Sequence, residues 1–228
     1  MKENTCDESS SKLFSLVYTD CPWPYNNEMS GQPKWGGRKY PSMSISDLKA
    51  LGVREIAAKD SLLFMWATFP KLREAYEVMD AWGFEYTTNG FTWVKVNPKS
   101  GGWFSGIGHY TASNAEVVLI GKRGKGLRRI DKSVKQIVDD GWDEVLVAAR
   151  GRHSEKPQAV RDRIVQLYGD VPRIELFARQ RVEGWDAWGN EVESTVGVLP
   201  SSTLGSERPK IKKAPAGDNL LARTDELA

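Results

Sequence analysis

Apolar positions along the chain group into short unbroken runs, separated by stretches in which they recur every three or four residues. Residues 13–19 (LFSLVYT) and 61–67 (SLLFMWA) are runs of the first kind, nearly continuous, as strands covered on both faces are. The spacing predicts a helix over 70–83, with Pro70 in its first turn, Leu72, Ala75, Tyr76 and Met79 on one stripe, and Gly83 placed to stop it. Residues 85–96 and 115–121 read as further strands, separated by a glycine- and aromatic-rich loop over 97–113. Another strand is expected at 144–149. Ser154 can then cap a helix with Pro157 in its first turn, and Val160, Ile164, Leu167 and Tyr168 form its stripe before Gly169. A last run, 173–178 (RIELFA), closes the series. Apolar runs alternating with helical patterns predict parallel strands joined by crossover helices. The expected fold class is α/β, a mostly parallel, doubly wound sheet that binds ligands at the carboxyl ends of its strands. Residues 1–12 and 194–228 lack periodicity and read as a flexible leader and tail, leaving 13–193 as one folded domain.

Composition removes several classes of function. With two histidines, His109 and His153, and no closely spaced cysteine pair, a zinc site would need mostly carboxylates, which zinc sites seldom use. No metal is expected. Cys6 lies in the polar leader, far from Cys21, and no signal-like segment opens the chain, so a reducing cytoplasm is the expected compartment. No apolar run approaches the roughly 20 residues of a bilayer span, so no membrane partner is expected. The net charge of +2, from 32 basic and 30 acidic side chains, gives no global pull toward nucleic acid. That average hides local excesses. Residues 121–135 (GKRGKGLRRIDKSVK) hold Lys122, Arg123, Lys125, Arg128, Arg129, Lys132 and Lys135 against Asp131. Such a loop can meet phosphates, or it is a solvated connector. Lys34, Arg38 and Lys39 surround Trp35 and two glycines in a second basic segment. Trp103, Phe104 and Tyr110 offer stacking faces in a third, unless they are loop packing.

The tetrapeptide Asp20-Cys21-Pro22-Trp23 places a carboxylate at the end of an apolar strand and then breaks the chain. Pro22 keeps Cys21 out of helical geometry, so the Cys21 carbonyl is held in an extended direction beside Asp20. Two acceptors and an aromatic face suit the amino group of a nucleobase, whose two N–H bonds need partners while its ring stacks on Trp23. The competing reading is that Asp20 caps a turn and Trp23 is core.

This tetrapeptide resembles the Asp-Pro-Pro-Trp signature of the adenine-N6 methyltransferases related to the catalytic subunit of the eukaryotic messenger-RNA methyltransferase. The resemblance continues in family order through Lys39-Tyr40-Pro41-Ser42-Met43-Ser44, Leu63-Phe64-Met65-Trp66-Ala67-Thr68, Ala81-Trp82-Gly83-Phe84 and Trp93-Val94-Lys95. It goes on through Asn114-Ala115-Glu116, Leu119-Ile120-Gly121, His153-Ser154-Glu155-Lys156-Pro157, Ile174-Glu175-Leu176-Phe177-Ala178-Arg179 and residues 184–191 (GWDAWGNE). It implies a Rossmann-like methyltransferase fold that uses S-adenosylmethionine, with the catalytic motif ahead of the cofactor-binding strand. It further implies that Asp20 and the Cys21 carbonyl hold the target amine, that Pro22 sets the turn and that Trp23 walls the base. Lys156, Glu175, Arg179, Asn190 and Glu191 would line the cofactor site, with Lys156 meeting the methionine carboxylate and Asn190 or Glu191 the ribose hydroxyls. Lys156 taken alone also reads as a solvated first-turn residue.

Two departures stand out. Cys21 replaces the first proline of the signature, restoring an N–H and freeing a dihedral angle, and activity is expected to be retained. Glu191 stands where some relatives carry Gln, and either can bond a hydroxyl. DNA is the expected polymer, because compact members of the family resemble bacterial and phage adenine-modifying enzymes while RNA-modifying relatives bring extra domains. RNA, or a catalytically silent nucleic-acid-binding relative, is the alternative. The length leaves little for reading a long recognition site.

Overall fold

Two apolar runs form the centre of the sheet: β1 (Phe14–Thr19) and β2 (Ala57–Ala67) lie side by side in parallel, with Thr19 opposite Met65. In this computed structural model the described residues are 12–24, 42–97, 100–106, 108, 110–139 and 156–196. Five further strands complete the sheet, β3 (Glu85–Val94), β4 (Glu116–Arg123), β5 (Ile137–Asp139), β6 (Arg173–Leu176) and β7 (Asp186–Trp188). Their order is β5-β3-β4-β2-β1-β6-β7. All run one way except β4, which is antiparallel to both its neighbours, β2 and β3.

The sheet is thus mostly parallel, as expected, with β4 the one reversed strand among those described. A parallel return needs a crossover of a dozen or more residues, usually a helix, but residues 95–115 have no helical stripe in sequence, and β4 returns antiparallel to β3. The expected helix over 70–83 is a 3-10 turn (Phe69–Lys71) followed by a helix from Leu72 to Ala81. Two short helices come before it in the chain: α1 (Ile45–Lys49), capped by Ser44 Oγ accepting from the Asp47 N–H at 3.1 Å, and α2 (Val53–Ile56). The Leu72–Ala81 helix is α3, and α4 (Gln158–Tyr168) follows Pro157. The strand expected at 144–149 and the cap expected at Ser154 lie outside the described residues.

Helices cover both faces of the sheet, which makes it doubly wound. Val17, Leu63, Met65, Ile174 and Leu176 point to one face and pack with Leu48 of α1, Val53 of α2 and Ala75, Val78 and Met79 of α3. Leu16, Tyr18, Phe64, Trp66 and Val118 point to the other and pack with Val160, Ile164, Leu167 and Tyr168 of α4. Each large apolar side chain buried in these layers contributes roughly 1.5–3 kcal/mol. Beyond β7, the Thr195 N–H donates to the Ala187 carbonyl at 2.8 Å, and Val196 packs on the first cluster.

Candidate active site

β1 delivers Asp20 to the carboxyl edge of the sheet, one residue past the pairing of Thr19 with Met65 and Leu176. The chain then turns at once. The Trp23 N–H donates to the Cys21 carbonyl at 2.8 Å, and the Met43 N–H to the Pro22 carbonyl at 3.0 Å. A carbonyl carries two lone pairs, so that of Cys21 both closes the turn and retains an acceptor site. Trp23 is buried in the first core cluster, with its indole N–H on the Trp66 carbonyl at 3.2 Å. The reading of Trp23 as core is therefore correct, and it does not preclude a wall against a ligand. Cys21 is buried as well, its sulfur 3.5 Å from Thr19 Oγ1. Burial pushes its thiol pKa well up, and nearby Asp20 adds to this against the opposing Thr19 contact. The protonated thiol is no nucleophile.

Lys156 stands just ahead of α4 and reaches into this turn. Its Nζ lies 3.1 Å from Asp20 Oδ2 and 3.0 Å from Glu116 Oε2, and 5.4 Å above the Trp66 ring. Glu116 opens β4, and its other oxygen is 2.6 Å from Lys95 Nζ, just past the end of β3. Two carboxylates thus face two ammonium groups. Burial pulls the Lys156 pKa down, but Asp20 and Glu116 outweigh it and hold it above the ordinary lysine value. Burial raises the Glu116 pKa, and Lys156 and Lys95 more than offset this, leaving it below the ordinary carboxyl value. The Asp20 side chain is 24% exposed against 8% for Lys156, so an incoming group meets the carboxylate first.

Beneath the cluster lies a buried layer on the α4 side. Glu175 of β6 accepts from Arg161 Nε at 2.8 Å and from Nη2 at 2.6 Å, a bidentate pair. The same guanidinium sits 5.4 Å from the Tyr18 ring, and the Tyr18 hydroxyl accepts from the Trp66 indole at 2.6 Å. Burial sends the Tyr18 pKa far up, so its hydroxyl stays protonated. Glu175, expected to line the cofactor site, is therefore bonded on both oxygens to a residue of its own chain.

Arg179, Asn190 and Glu191 follow β6 and β7 at the same edge. Phe177 takes a left-handed backbone (φ 58°) immediately after β6, a conformation that costs about 1–3 kcal/mol in a residue with a side chain and tends to occur at functional turns. The Ala178 N–H donates to the Trp188 carbonyl at 3.0 Å. Gly189 packs so closely that a Cβ there would lie 2.3 Å from the Ala178 carbonyl oxygen. Arg179 Nε is 3.9 Å from Glu191 Oε1, and all three polar side chains are exposed.

The basic loop is elsewhere. Because β4 runs backwards, Arg123 pairs with Ser61 while Val117 pairs with Ala67, which puts Lys122, Arg123, Lys125, Arg128 and Arg129 about 20 Å from the Asp20 edge at ordinary strand rise. That reversal separates the loop from Asp20 along the length of the sheet. Arg123 caps α2, donating from Nη1 to the Arg54 carbonyl at 2.6 Å and to the Ala57 carbonyl at 3.2 Å. Lys34, Arg38 and Lys39 lie outside the described residues. Sequence reasoning passed over Glu116, Lys95 and Arg161 as site residues. A usable signal was present for Glu116, a carboxylate opening the apolar run 117–120. Among the described residues no group of three or more His, Cys, Asp or Glu is arranged to hold a metal ion, and no helix is long and apolar enough to cross a membrane.

A matched, partly buried ion cluster at the carboxyl ends of a mostly parallel sheet with helices on both faces defines an α/β enzyme of the Rossmann-like class. The chain belongs to the MT-A70 family, which matches residues 14–191. It is similar to the Type II methyltransferase M.MunI of a Mycoplasma species, 34% identical over 223 residues that cover 88% of each chain. It is also similar to the N6-methyladenosine RNA methyltransferase MTA1 of Pyricularia oryzae, 27% identical over 195 residues, and to the N(6)-adenine-specific methyltransferase METTL4 of Mus musculus, 27% identical over 191. These two matches span 80% and 79% of this chain but only 48% and 38% of the relatives. The resemblance read from the sequence blocks therefore holds, and the chain is an adenine methyltransferase.

Proposed function

We propose that this chain transfers a methyl group to the exocyclic N6 amine of adenine in DNA, with S-adenosylmethionine as the donor. The observation that carries this reading is the Asp20, Lys156 and Glu116 cluster at the end of β1, in a chain aligned along 88% of M.MunI. Asp20 accepts one N–H of the target amine and the second lone pair of the Cys21 carbonyl accepts the other, which turns the nitrogen lone pair outward for in-line attack. Asp20 also stabilises the positive charge that develops on that nitrogen, with Lys156 tethering its carboxylate in place. Trp23 and Pro22 wall the base. An adenine within a duplex must first be flipped out, at a cost of roughly a few kcal/mol.

The bound cofactor supplies an electrophilic methyl group on a sulfonium, so no protein nucleophile is needed. The residues suit it. Arg179, Asn190 and Glu191 combine donors and acceptors at the ends of β6 and β7, matching ribose hydroxyls and a carboxylate. An ammonium has three N–H donors, and the two carboxylates on Lys156 occupy two of them, leaving the third for the methionine carboxylate. Glu175 acts from behind, where its second lone pairs accept while Arg161 fixes its orientation.

Two experiments test this reading. Calorimetry should find saturable binding of S-adenosylmethionine to the full chain. Expression in a methylation-deficient host, with nucleosides quantified by mass spectrometry, should give methyladenine in DNA that vanishes in an Asp20→Ala control. Because MTA1 is an RNA methyltransferase by name, RNA is the second reading, and Asp20-dependent methyladenine in RNA alone would select it. Absence from both polymers would overturn the proposal.

A further inference from the structure

Between β3 and β4 the chain leaves the sheet at Lys95 and rejoins it at Glu116, the two residues whose charged ends pair beside Lys156 and Asp20. The loop they bracket carries Trp103 at 73% exposure and Tyr110 at 98%, the two most exposed large apolar side chains among the described residues. Such exposure belongs on a floppy excursion, yet this backbone is tied down. The Asn97 N–H donates to the Gly102 carbonyl at 2.8 Å and the Phe104 N–H to the Lys95 carbonyl at 3.0 Å. Asn114 then bonds three ways, its amide donating to the carbonyls of Phe104 at 2.6 Å and Lys95 at 2.8 Å, and its oxygen accepting from the Lys95 N–H at 2.7 Å. Gly106 and Ser113 exchange two further backbone bonds, at 2.7 and 3.1 Å. Gly108 is packed so tightly that a Cβ would fall 1.9 Å from the Thr111 carbonyl oxygen.

An aromatic ring displayed by an anchored backbone has already lost the entropy that ordering would cost on binding. Charge selects what it meets. Residues 95–115 include Lys99 and no acidic side chain, the Lys95 charge being matched by Glu116, so nothing in the loop repels a polyanion. Its aromatic rings suit stacking on bases, and its two ends, Lys95 and Glu116, belong to the Asp20 cluster, which sets the loop beside the polymer that enters there.

We propose that Trp103 and Tyr110 stack on nucleobases flanking the target adenine, replacing the stacking lost when that base enters the Asp20 site. The inference rests on the methyltransferase reading above and extends it with the groups that hold the opened polymer. It is tested with full-length Trp103→Ala, Tyr110→Ala and the double variant, against a fluorescein-labelled, mixed-sequence single-stranded DNA followed by anisotropy over a salt series. The expected result for each single variant is a loss of affinity of roughly 5- to 100-fold. Trp103→Phe should retain most of the affinity and Trp103→Leu little. The slope of affinity against salt should stay unchanged, because no phosphate contact is removed, and calorimetry should return the wild-type affinity for S-adenosylmethionine.

Unchanged affinity in the double variant would overturn the proposal, as would full rescue by Leu. A wild-type dimer converted to monomer by Trp103→Ala, with oligonucleotide affinity intact, would overturn it in favour of a second copy as occupant. If the wild type forms Asp20-dependent methyladenine and the double variant matches it in binding and rate, the stacking proposal alone falls. If the wild type forms none but binding still depends on Trp103, the methyltransferase reading falls and stacking stands.

Discussion

The two edges of the sheet carry charge in opposite ways. At the carboxyl edge the charges are few, largely buried and matched, with Asp20 and Glu116 against Lys156 and Lys95. At the other edge Lys122, Arg123, Lys125, Arg128 and Arg129 crowd the end of β4 and the turn beyond it, and among the described residues none of them forms an ion pair with an acidic side chain. Charge exposed to water costs little and can accumulate in a loop. A buried charge persists only where partners offset its desolvation. Density in sequence therefore points to the solvated edge, and the edge that does chemistry is found by asking which charges burial would penalise. The net charge of +2 is an average over these unlike regions.

The comparison breaks most easily at Asp20. Replacing it with Ala should lower the methylation rate at least about a hundredfold, with some loss of melting temperature because the buried Lys156 keeps only Glu116 as a partner, measured by turnover beside thermal unfolding. A rate close to wild type would remove the functional distinction between the edges. Below the site, Arg161→Met leaves Glu175 buried without its partner, and the expected loss is about 3–5 kcal/mol by denaturant titration. Adding Glu175→Met should recover most of it, because an apolar pair of similar volume replaces a costly ionic one.

Glu116→Gln should slow methylation on the order of tenfold, by loosening Lys156 and with it the geometry of Asp20. It should also blunt the acid sensitivity of the fold. The Glu116 pKa is depressed below its ordinary 4.5, so its pairing contributes in full above that value and is lost as pH falls through the depressed one. Lys156 has the opposite sign, since its raised pKa keeps its contribution complete up to the ordinary 10.5 and loses it only above. Stability measured on acidification below about pH 4.5 should therefore fall more steeply for the wild type than for Glu116→Gln.

The smallest effect belongs to the far edge. Combined Lys125→Gln, Arg128→Gln and Arg129→Gln should leave turnover at saturating DNA unchanged. The salt slope of binding should drop by roughly 0.9 for each of these residues that meets a phosphate.

Much of this was legible in the sequence, for reasons specific to particular residues. β1 and β2 stood out because strands covered on both faces are continuous apolar runs, and α4 because its stripe repeats over three turns. β5, β7, α1 and α2 are 3, 3, 5 and 4 residues long, too short to express a period. The direction of β4 was not readable, since an apolar run reads the same both ways. That single reversal moved the basic loop to the far edge. Asp20 and Lys156 were named from the chain, but Glu116 completes their cluster only through the pairing of β4 with β2, 96 positions beyond Asp20. Arg161 meets Glu175 only because α4 packs across β6, a contact that no spacing in the chain announces.

The most direct test of the central claim places both edges in one assay. Transfer of a radiolabelled methyl group from S-adenosylmethionine to adenine-containing DNA is measured for the wild type, the Asp20→Ala variant and the triple glutamine variant of the far edge. Wild type and far-edge variant should transfer at equal turnover, and Asp20→Ala should show none above background. Turnover that survives Asp20→Ala while collapsing in the far-edge variant would contradict the claim.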